Sequence, residues 1–485
     1  MISLRPKCPF LSPVFIQGIP FKGMSDADIV QPLNNLKTLK APHSTFLIAE
    51  KLVFEVIRME VIENSKLESF HYRLLAVLGA IWAFIAVNTI AASLIIPLLK
   101  EEPAFQGSLA KLGSLGSAAL FGMLFGAWLF GILADRIGRK KALTLAVVTF
   151  SLGSIVSSFA GSLDELIALR FIVGLGLGGS LPVASSYFAE FMPKSVRGAM
   201  ISILESFWAI GTIIIGVVAL LVRADWRNIL LFGGAILLIL PLLLTLPESP
   251  RFLLVKGRIS EAEEILRRIF GVDVKLQKPG EEQKRTSIAD LWRKYSRRTL
   301  MLTVAWFSIA FAYYGFFIWL PKFLSATLGI TVFKSFQYFI ITAIAQLPGY
   351  WSAAYLIERI GRKKTLSSYL FLSGIAGVAF YLAASSANEA MILSSAILFS
   401  FFNLGAWGAI YAYTPELYPT SVRGTGTGWA GAMARIGGGI APILAGRIME
   451  VSGAALAVLV IAVVSIIGAL DVLILGEETM GKELA

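Results

Sequence analysis

Three ionisable residues, Arg170, Glu205 and Arg435, interrupt otherwise apolar stretches of this chain. A charge inside a stretch long enough to cross a bilayer is expensive, so each marks a candidate functional site. A guanidinium can grip a carboxylate through two parallel hydrogen bonds, which makes Arg435 a candidate to hold an anion. A carboxylate facing a dehydrated cavity can take up a proton and release it when the cavity reaches water, which makes Glu205 a candidate proton carrier. Glu205 follows Arg197 by eight residues, roughly 12 Å along a helix, and Arg435 follows Arg423 by twelve, roughly 18 Å. Arg170 enters from the other side and lies roughly 18 Å from Glu205 in height, too far for a direct pair. Structural alternatives stand beside both roles: a pair with a carbonyl-rich helix end for Arg435, and a hydrogen bond to Gln346 for Glu205.

The elements that position these residues are apolar and duplicated. The chain is 56% hydrophobic and 15% charged, with mean hydropathy +0.75, which excludes an ordinary soluble balance. Reading the apolar runs against the roughly 20 residues a spanning helix needs gives twelve spans. They fall near 74–99, 110–134, 142–160, 164–189, 199–222, 228–246, 299–323, 333–357, 365–384, 389–413, 424–447 and 454–476. A basic loop, Asp135-Arg136-Ile137-Gly138-Arg139-Lys140-Lys141, returns as Glu358-Arg359-Ile360-Gly361-Arg362-Lys363-Lys364, 223 residues on. A second loop, Glu190-Phe191-Met192-Pro193 followed by Arg197-Gly198, returns as Glu416-Leu417-Tyr418-Pro419 followed by Arg423-Gly424, 226 residues on. Duplicated membrane halves with matching loops are a mark of secondary transporters, where one half rocks against the other around a central site. The expected architecture is therefore an all-α membrane protein of twelve helices in two pseudo-symmetric six-helix bundles, 74–246 and 299–476. A connector, 247–298, would separate them, with an amphipathic helix from Ile259 to Phe270, and 477–485 would form a tail.

The net charge of +12 resides in loops flanking the spans rather than on an aromatic-interleaved patch, which argues against nucleic acid. Basic residues gather at 136–141, 194–197, 251–298, 359–364 and 423, while the alternate loops are poor in them. The positive-inside rule then puts the basic loops and both termini in the cytoplasm of a multi-pass cell-membrane protein. One cysteine, Cys8, allows no intrachain disulfide and no paired-cysteine metal or redox site. Neither a metal nor a cofactor is expected. The glycine run Gly174, Gly176, Gly178, Gly179 lies inside an apolar span with no preceding strand, so close helix packing explains it better than phosphate binding. Residues 1–73 show no clean signal peptide. The reading there is a start at Met24 or Met59, with the preceding residues an artefact or a disordered tail.

The Asp135 loop, Arg170 with Gly174 and Gly176, and the twelve-span layout together resemble the major facilitator superfamily. Pro247-Glu248-Ser249-Pro250-Arg251, followed by Lys256-Gly257-Arg258, is similar to the sugar-porter signature after span six. The stretches around Leu204–Ala209, Tyr313–Pro321 and Asn403–Glu416 resemble the niacin-permease and related organic-ion branch. The resemblance implies a gate at the basic loops. In it Asp135 would cap the span beginning near Gly424, where a carboxylate meets a helix dipole favourably. Arg136 and Arg139 would meet Glu190, Arg197, Glu248 and Arg251, mirrored by Glu358, Arg362, Glu416 and Arg423. The alternative is that these charges only fix topology.

The resemblance also implies that spans one, four, seven and ten line the central path. It nominates Asn88, Arg170, Trp306, Tyr313, Tyr314, Asn403, Trp407 and Tyr411, with Arg435, as substrate contacts. Aromatic side chains there suit a flat ring, held by stacking and by hydrogen bonds at its edge. Sugar porters pair the span-four Arg with a span-one Asp, and Asn88 leaves that pair without its acid. Coupling has then moved to Glu205, or the protein is an uncoupled facilitator. Phe311-Ala312-Tyr313-Tyr314 stands where sugar porters carry a Gln pair, which argues against a polyhydroxylated ligand. The leading expectation is a proton-linked importer of an aromatic or other small organic acid, its partners the solute, protons and the lipid bilayer. A sugar porter comes second, and a substrate-sensing membrane receptor is the reading from another class. Span five lacks the Gly-Pro motif of drug antiporters after Glu205, and His43 and His71 form no nucleophile–base constellation, so an enzyme is not expected.

Overall fold

The computed structural model describes Ile62, residues 65–99, 102–271, Leu276, 287–386 and 388–480. The expected start at Met24 or Met59 lies outside the described residues. Twelve long helices make up the fold among the described residues. The first half holds α1 (Ser69–Leu99), α2 (Leu109–Ile137), α3 (Arg139–Ser157), α4 (Leu163–Ala189), α5 (Arg197–Leu221) and α6 (Trp226–Thr245). The second holds α7 (Ser296–Phe317), α8 (Val332–Arg359), α9 (Arg362–Ser386), α10 (Glu389–Glu416), α11 (Thr420–Ser452) and α12 (Ala454–Leu475). Eleven are long and apolar enough to cross a membrane; α11, at 33 residues, has the length but carries Arg423, Arg435 and Arg447. In α1 and α7, 78% of the most apolar stretch is buried inside the protein, against 39% in α12, so α1 and α7 are central and α12 peripheral.

Several boundaries differ from the sequence expectation. Helix α1 starts five residues before the expected 74, so His71 belongs to its first turn. His71 is buried, with Nε2 3.2 Å from the Phe191 carbonyl oxygen and Nδ1 accepting from the Glu68 amide at 2.9 Å. The amphipathic connector helix runs Ile259–Phe270 as expected, joined by shorter helices Pro250–Val255 and Ile288–Lys294. Residues 477–480 are not a free tail but pack against the second half, as described below.

The glycine run in α4 is a packing surface. A side-chain carbon at Gly174 would strike the Ala119 carbonyl of α2, and one at Gly178 the Met123 carbonyl. Gly122 and Gly126 of α2 return the contact against Phe171 and Leu175 of α4. Backbones that approach this closely gain dispersion contact that lipid tails cannot supply as well. Caps follow position in the fold. Five of the six helices that start opposite the basic loops begin on a local polar cap: Ser108 for α2, Ser162 for α4, Asp225 for α6, Thr331 for α8 and Asn388 for α10, while α12 begins on Gly453. At that end Glu102 accepts from Arg227 and Trp226 (2.8 and 2.7 Å), and the Arg227 bond above all holds its carboxyl below the usual glutamate range.

The two halves meet along α2–α11 and α5–α8. At the end opposite the basic loops Gly113 lies on the Pro442 backbone, Gly446 on Leu109, and Ser93 Oγ donates to the Phe317 carbonyl at 2.6 Å. Toward the basic loops a side-chain carbon at Gly131, Gly198, Gly424 or Gly428 would meet nothing within 4 Å. The interface is tight at one end and open at the other. Gly113→Val should therefore force α2 from α11 at the tight end. In a Cys8→Ser background, a cysteine at the buried Ser117 should then react several-fold faster with an impermeant maleimide; unchanged labelling would show that the contact does not hold that end shut.

Candidate functional site

Between the halves lies a cavity enclosing about 420 Å³ of space between its wall atoms, open solvent at its mouth included. Its wall is Trp82 of α1, Leu181 of α4, Glu205 and Trp208 of α5, Tyr313 and Tyr314 of α7, Tyr350 of α8, Leu404, Trp407 and Tyr411 of α10, and Arg435 of α11. The rings form a cage with edge-to-face geometry. Tyr313 and Tyr314 lie 6.2 and 6.4 Å from Trp407, and 6.2 and 6.5 Å from Trp208. Trp208 Nε1 donates to the Tyr313 hydroxyl at 2.7 Å, a hydrogen bond that joins the two halves at the cavity.

Glu205 and Arg435 reach this cavity from opposite halves. Their positions are related by the internal repeat: Glu205 and Ala209 on α5 correspond to Gly431 and Arg435 on α11, offset by 226 residues. Each half thus supplies one charge and one small residue a turn apart, in opposite order. Arg435 Nη1 donates to the Gly431 carbonyl at 3.3 Å, and no salt bridge joins Arg435 to Glu205. No hydrogen bond joins Glu205 to Gln346 either, since both amide atoms of Gln346 lack partners.

Of the residues nominated from sequence, Tyr313, Tyr314, Trp407, Tyr411, Glu205 and Arg435 share the cavity wall. The structure places Asn88, Arg170, Trp306 and Asn403 behind it. Arg170 is fully buried, donates through Nη2 to the Asn88 backbone carbonyl, and its Nε and Nη1 have no partner. The Asn88 amide donates to the Phe84 and Gly233 carbonyls, each at 2.9 Å, tying α1 to α6. Trp306 Nε1 donates to Thr414 Oγ1 at 2.9 Å and backs the Tyr411 ring at 4.9 Å. Asn403 Nδ2 faces Ser373 Oγ at 3.5 Å. Trp82, Trp208 and Tyr350 were missed as wall residues. Their side-chain types were visible in the sequence; the helix phase that turns them inward was not.

The basic loops carry a second, twofold arrangement. Arg139 pairs with Asp135 at 3.2 Å and Glu190 at 3.4 Å, and donates to the Ala134 carbonyl at 3.0 Å. Arg362 pairs with Glu358 at 2.9 Å and Glu416 at 3.2 Å, and donates to the Ile357 carbonyl at 3.0 Å. A carboxylate then closes each cluster. Glu248 accepts from the Lys140 amide at 3.1 Å, at the start of α3, and Glu478 accepts from the Arg362 amide at 2.9 Å, at the start of α9. Ser249 donates to Glu190 as Thr479 does to Glu416, and Tyr187 bonds the Pro247 carbonyl as Tyr413 bonds that of Glu477. Gly138 and Gly361, with φ of 108° and 101°, let each acid approach: a side-chain carbon at either would collide with the Glu248 or Glu478 carboxylate. Glu478 was not foreseen. The signal was there, since an acid followed by a hydroxyl comes after the last span of each half.

Two implied contacts are not made. Asp135 is not seen to cap α11, where Pro419 stands at the cap with no side-chain cap hydrogen bond; Asp135 pairs with Arg139 instead. Arg197 meets neither Arg139 nor Glu190 but folds back on the Met192 carbonyl at 3.0 Å, as Arg423 does on Tyr418 at 3.4 Å. Arg136 and Arg251 are exposed and take no part in these clusters.

Two six-helix bundles around a shared cavity, with matched charge clusters at one end, define a membrane transporter of the major facilitator fold rather than an enzyme. The chain belongs to the sugar (and other) transporter family, whose model matches residues 68–485. It is 40% identical to the niacin transporter NiaP of Acinetobacter baylyi, over 87% of this chain and 98% of that protein. It is 39% identical to the putative niacin/nicotinamide transporter NiaP of Bacillus subtilis, over 85% and 97%. Among solved structures, the partially occluded inward open conformation of the xylose transporter XylE from E. coli matches with a TM-score of 0.73 at 19% identity. That match covers 86% of this chain and all of that one.

The mirrored carboxylates should carry equal structural weight. Glu478→Gln and Glu248→Gln, each weakening a charged acceptor at a helix start, are each expected to lower unfolding stability in detergent by about 1–2 kcal/mol. A neutral Glu478 variant beside a destabilised Glu248 variant would show that the second cluster does not depend on its closing acid.

Proposed function

We propose that the protein imports a small aromatic or other organic acid together with protons. The observation that carries this reading is the cavity itself, where an acid from one half and a base from the other face a cage of aromatic rings. Arg435 would hold the carboxylate of the solute, and Tyr313, Tyr314, Trp407 and Tyr411 would hold its ring by stacking and edge contacts. Glu205 would carry the proton, loading it while the site faces outward and releasing it when the site opens to the cytoplasm. A niacin-like acid fits this complement, and niacin, named for both bacterial relatives, is of the same class. A polyhydroxylated sugar fits it less well, because no amide side chain stands among the wall residues.

Under this reading the protein lies in the cell membrane with the basic loops and both termini in the cytoplasm. The open end of the α2–α11 interface then faces the cytoplasm, and the structure is an inward-facing state. The clusters around Arg139 and Arg362 act as a cytoplasmic gate. Each ion pair there is worth about 0–1 kcal/mol, yet several together reach the few kcal/mol that biases a two-state switch.

Proteoliposome uptake of labelled nicotinate, benzoate and glucose, with and without an inward proton gradient, tests the proposal. The wild type should accumulate an acid only with the gradient. Glu205→Gln should abolish accumulation while leaving exchange of solute across the membrane intact. Arg435→Gln should raise the KM for the acid by about tenfold or more, as expected when a charged hydrogen-bond partner is removed. Gradient-independent glucose flux, equal in wild type and Glu205→Gln, would overturn the proposal and leave a sugar facilitator.

A further inference from the structure

Helix α8 loses a rung of its hydrogen-bond ladder beside the cavity, at a residue that keeps helical dihedrals, and this break in the ladder has a cause in the sequence. Its first segment, Val332–Ile344, ends before Ala345, and the second resumes as Gln346–Arg359. Pro348 has no amide proton to donate to the Ile344 carbonyl four residues earlier, so the helical ladder lapses there. Either side of the break α8 is fixed to α10. Ser400 Oγ donates to the Thr342 carbonyl at 2.6 Å, and Gly349 rests on the Phe401 backbone. A bend at the lapsed rung would fall between these two contacts, at Ala345 and Gln346.

Gln346 is the residue at the break with chemistry to offer. It is fully buried, and neither its amide nitrogen nor its amide oxygen has a hydrogen-bond partner. Buried polar groups are nearly always paired, so an amide with both ends unmet asks for a partner that arrives in another state. Two neighbours show where that partner would be. The Gln346 amide lies beside the Tyr313 hydroxyl without completing a hydrogen bond to it, and Tyr313 is part of the cavity wall. Tyr350, four residues on and hence on the same helix face, is another wall residue. Gln346 therefore stands one side chain behind the cavity surface. The Tyr313 hydroxyl accepts from Trp208 Nε1, which leaves its own proton for one of the two acceptors beside it, Thr212 Oγ1 or Gln346 Oε1.

We propose that Gln346 is a specificity-determining residue, reading a hydrogen-bond acceptor within the ring of an aromatic acid. The inference rests on the aromatic-acid reading above and adds to it the feature of the ring that is recognised. A small movement at the α8 break brings the amide to the cavity. Trp208 then donates to Tyr313, Tyr313 donates to Gln346 Oε1, and Gln346 Nε2 donates to the ring nitrogen of the ligand. Each bond in such a chain polarises the next. A ring made only of carbon cannot accept, so the amide would stay unmet and that ligand would be disfavoured.

The test is competition binding on the full-length protein in detergent, with labelled nicotinate displaced by benzoate and by the pyridine carboxylates with nitrogen at the other two positions. Nicotinate and benzoate differ in one ring atom. The wild type should prefer nicotinate by about tenfold or more, and the two other isomers should compete unequally with it. Gln346→Met, which keeps length and removes the amide, should bring nicotinate and benzoate within about twofold of each other at unchanged benzoate affinity. Retained benzoate binding also shows that this variant is folded. A wild-type ratio near one, equal competition by all the acids, or an unchanged ratio in Gln346→Met would each overturn the inference, and the isomer series needs no variant. A wild type that binds and accumulates these acids without regard to ring nitrogen loses this inference alone. A wild type that binds none of them loses the aromatic-acid reading as well.

Discussion

A charge or an amide buried among apolar helices must find a partner or reach water, and this constraint accounts for the placement of nearly every polar side chain in the molecule. Many Ser and Thr hydroxyls along the helices turn back on carbonyls within their own turn, as Thr89 does on Ile85 and Thr212 on Trp208, while others, such as Ser93 and Ser400, reach a carbonyl of a neighbouring helix. Asn88 spends its amide donors on two carbonyls from different helices. Glu205 and Arg435 are met instead by the cavity between the halves. Gln346 and the Arg170 guanidinium are among the buried polar groups that remain unmet, and they mark places where the helices hold unused bonding capacity.

Symmetry and its breaking divide the labour. At the basic loops the two halves repeat each other almost bond for bond, down to the carboxylates that cap α3 and α9 from the segments following α6 and α12. At the cavity they differ, with Glu205 opposite a glycine and Arg435 opposite an alanine in the repeat. A structural device that must work at both clusters stays paired, because each half has the same helix starts to satisfy. A ligand site has no such duty, since a small solute is not itself twofold symmetric.

The glycines link this chemistry to motion. Where α2 meets α4 they permit close backbone packing within one half. Where α2 meets α11 they permit the same approach between halves, but only at the end away from the basic loops. Two closely packed bundles that touch at one end and part at the other are suited to rock against each other. The prolines play the complementary part: Pro348 interrupts α8 beside the cavity, where a local bend moves a side chain without moving a bundle.

Much of this was legible in the residues themselves. The length of the apolar runs fixed the twelve helices, since a bilayer admits only spans that satisfy their own backbone hydrogen bonds. The repeated loops revealed two halves, and the matched acids and bases at Arg139 and Arg362 announced the clusters those residues now form. Glu205, Arg435, Tyr313, Tyr314, Trp407 and Tyr411 were recognisable because a charge or an aromatic group inside an apolar run is costly or directional. Other features depended on tertiary structure alone. Asn88, Arg170, Trp306 and Asn403 have the same credentials in sequence, yet helix rotation and packing turn them behind the wall, where carbonyls and hydroxyls of neighbouring helices occupy them. Tyr350 and Gln346 owe their positions to the phase of a broken helix, and Glu478 to the return of the chain's last described turn onto a loop more than a hundred residues away. The sequence by itself determined which side chains could do chemistry and which segments cross the bilayer, because both follow from local composition and transfer energetics. Which side chains face one another was decided only when the helices packed, because helix phase and interhelical distance are settled by contacts between residues far apart in the chain.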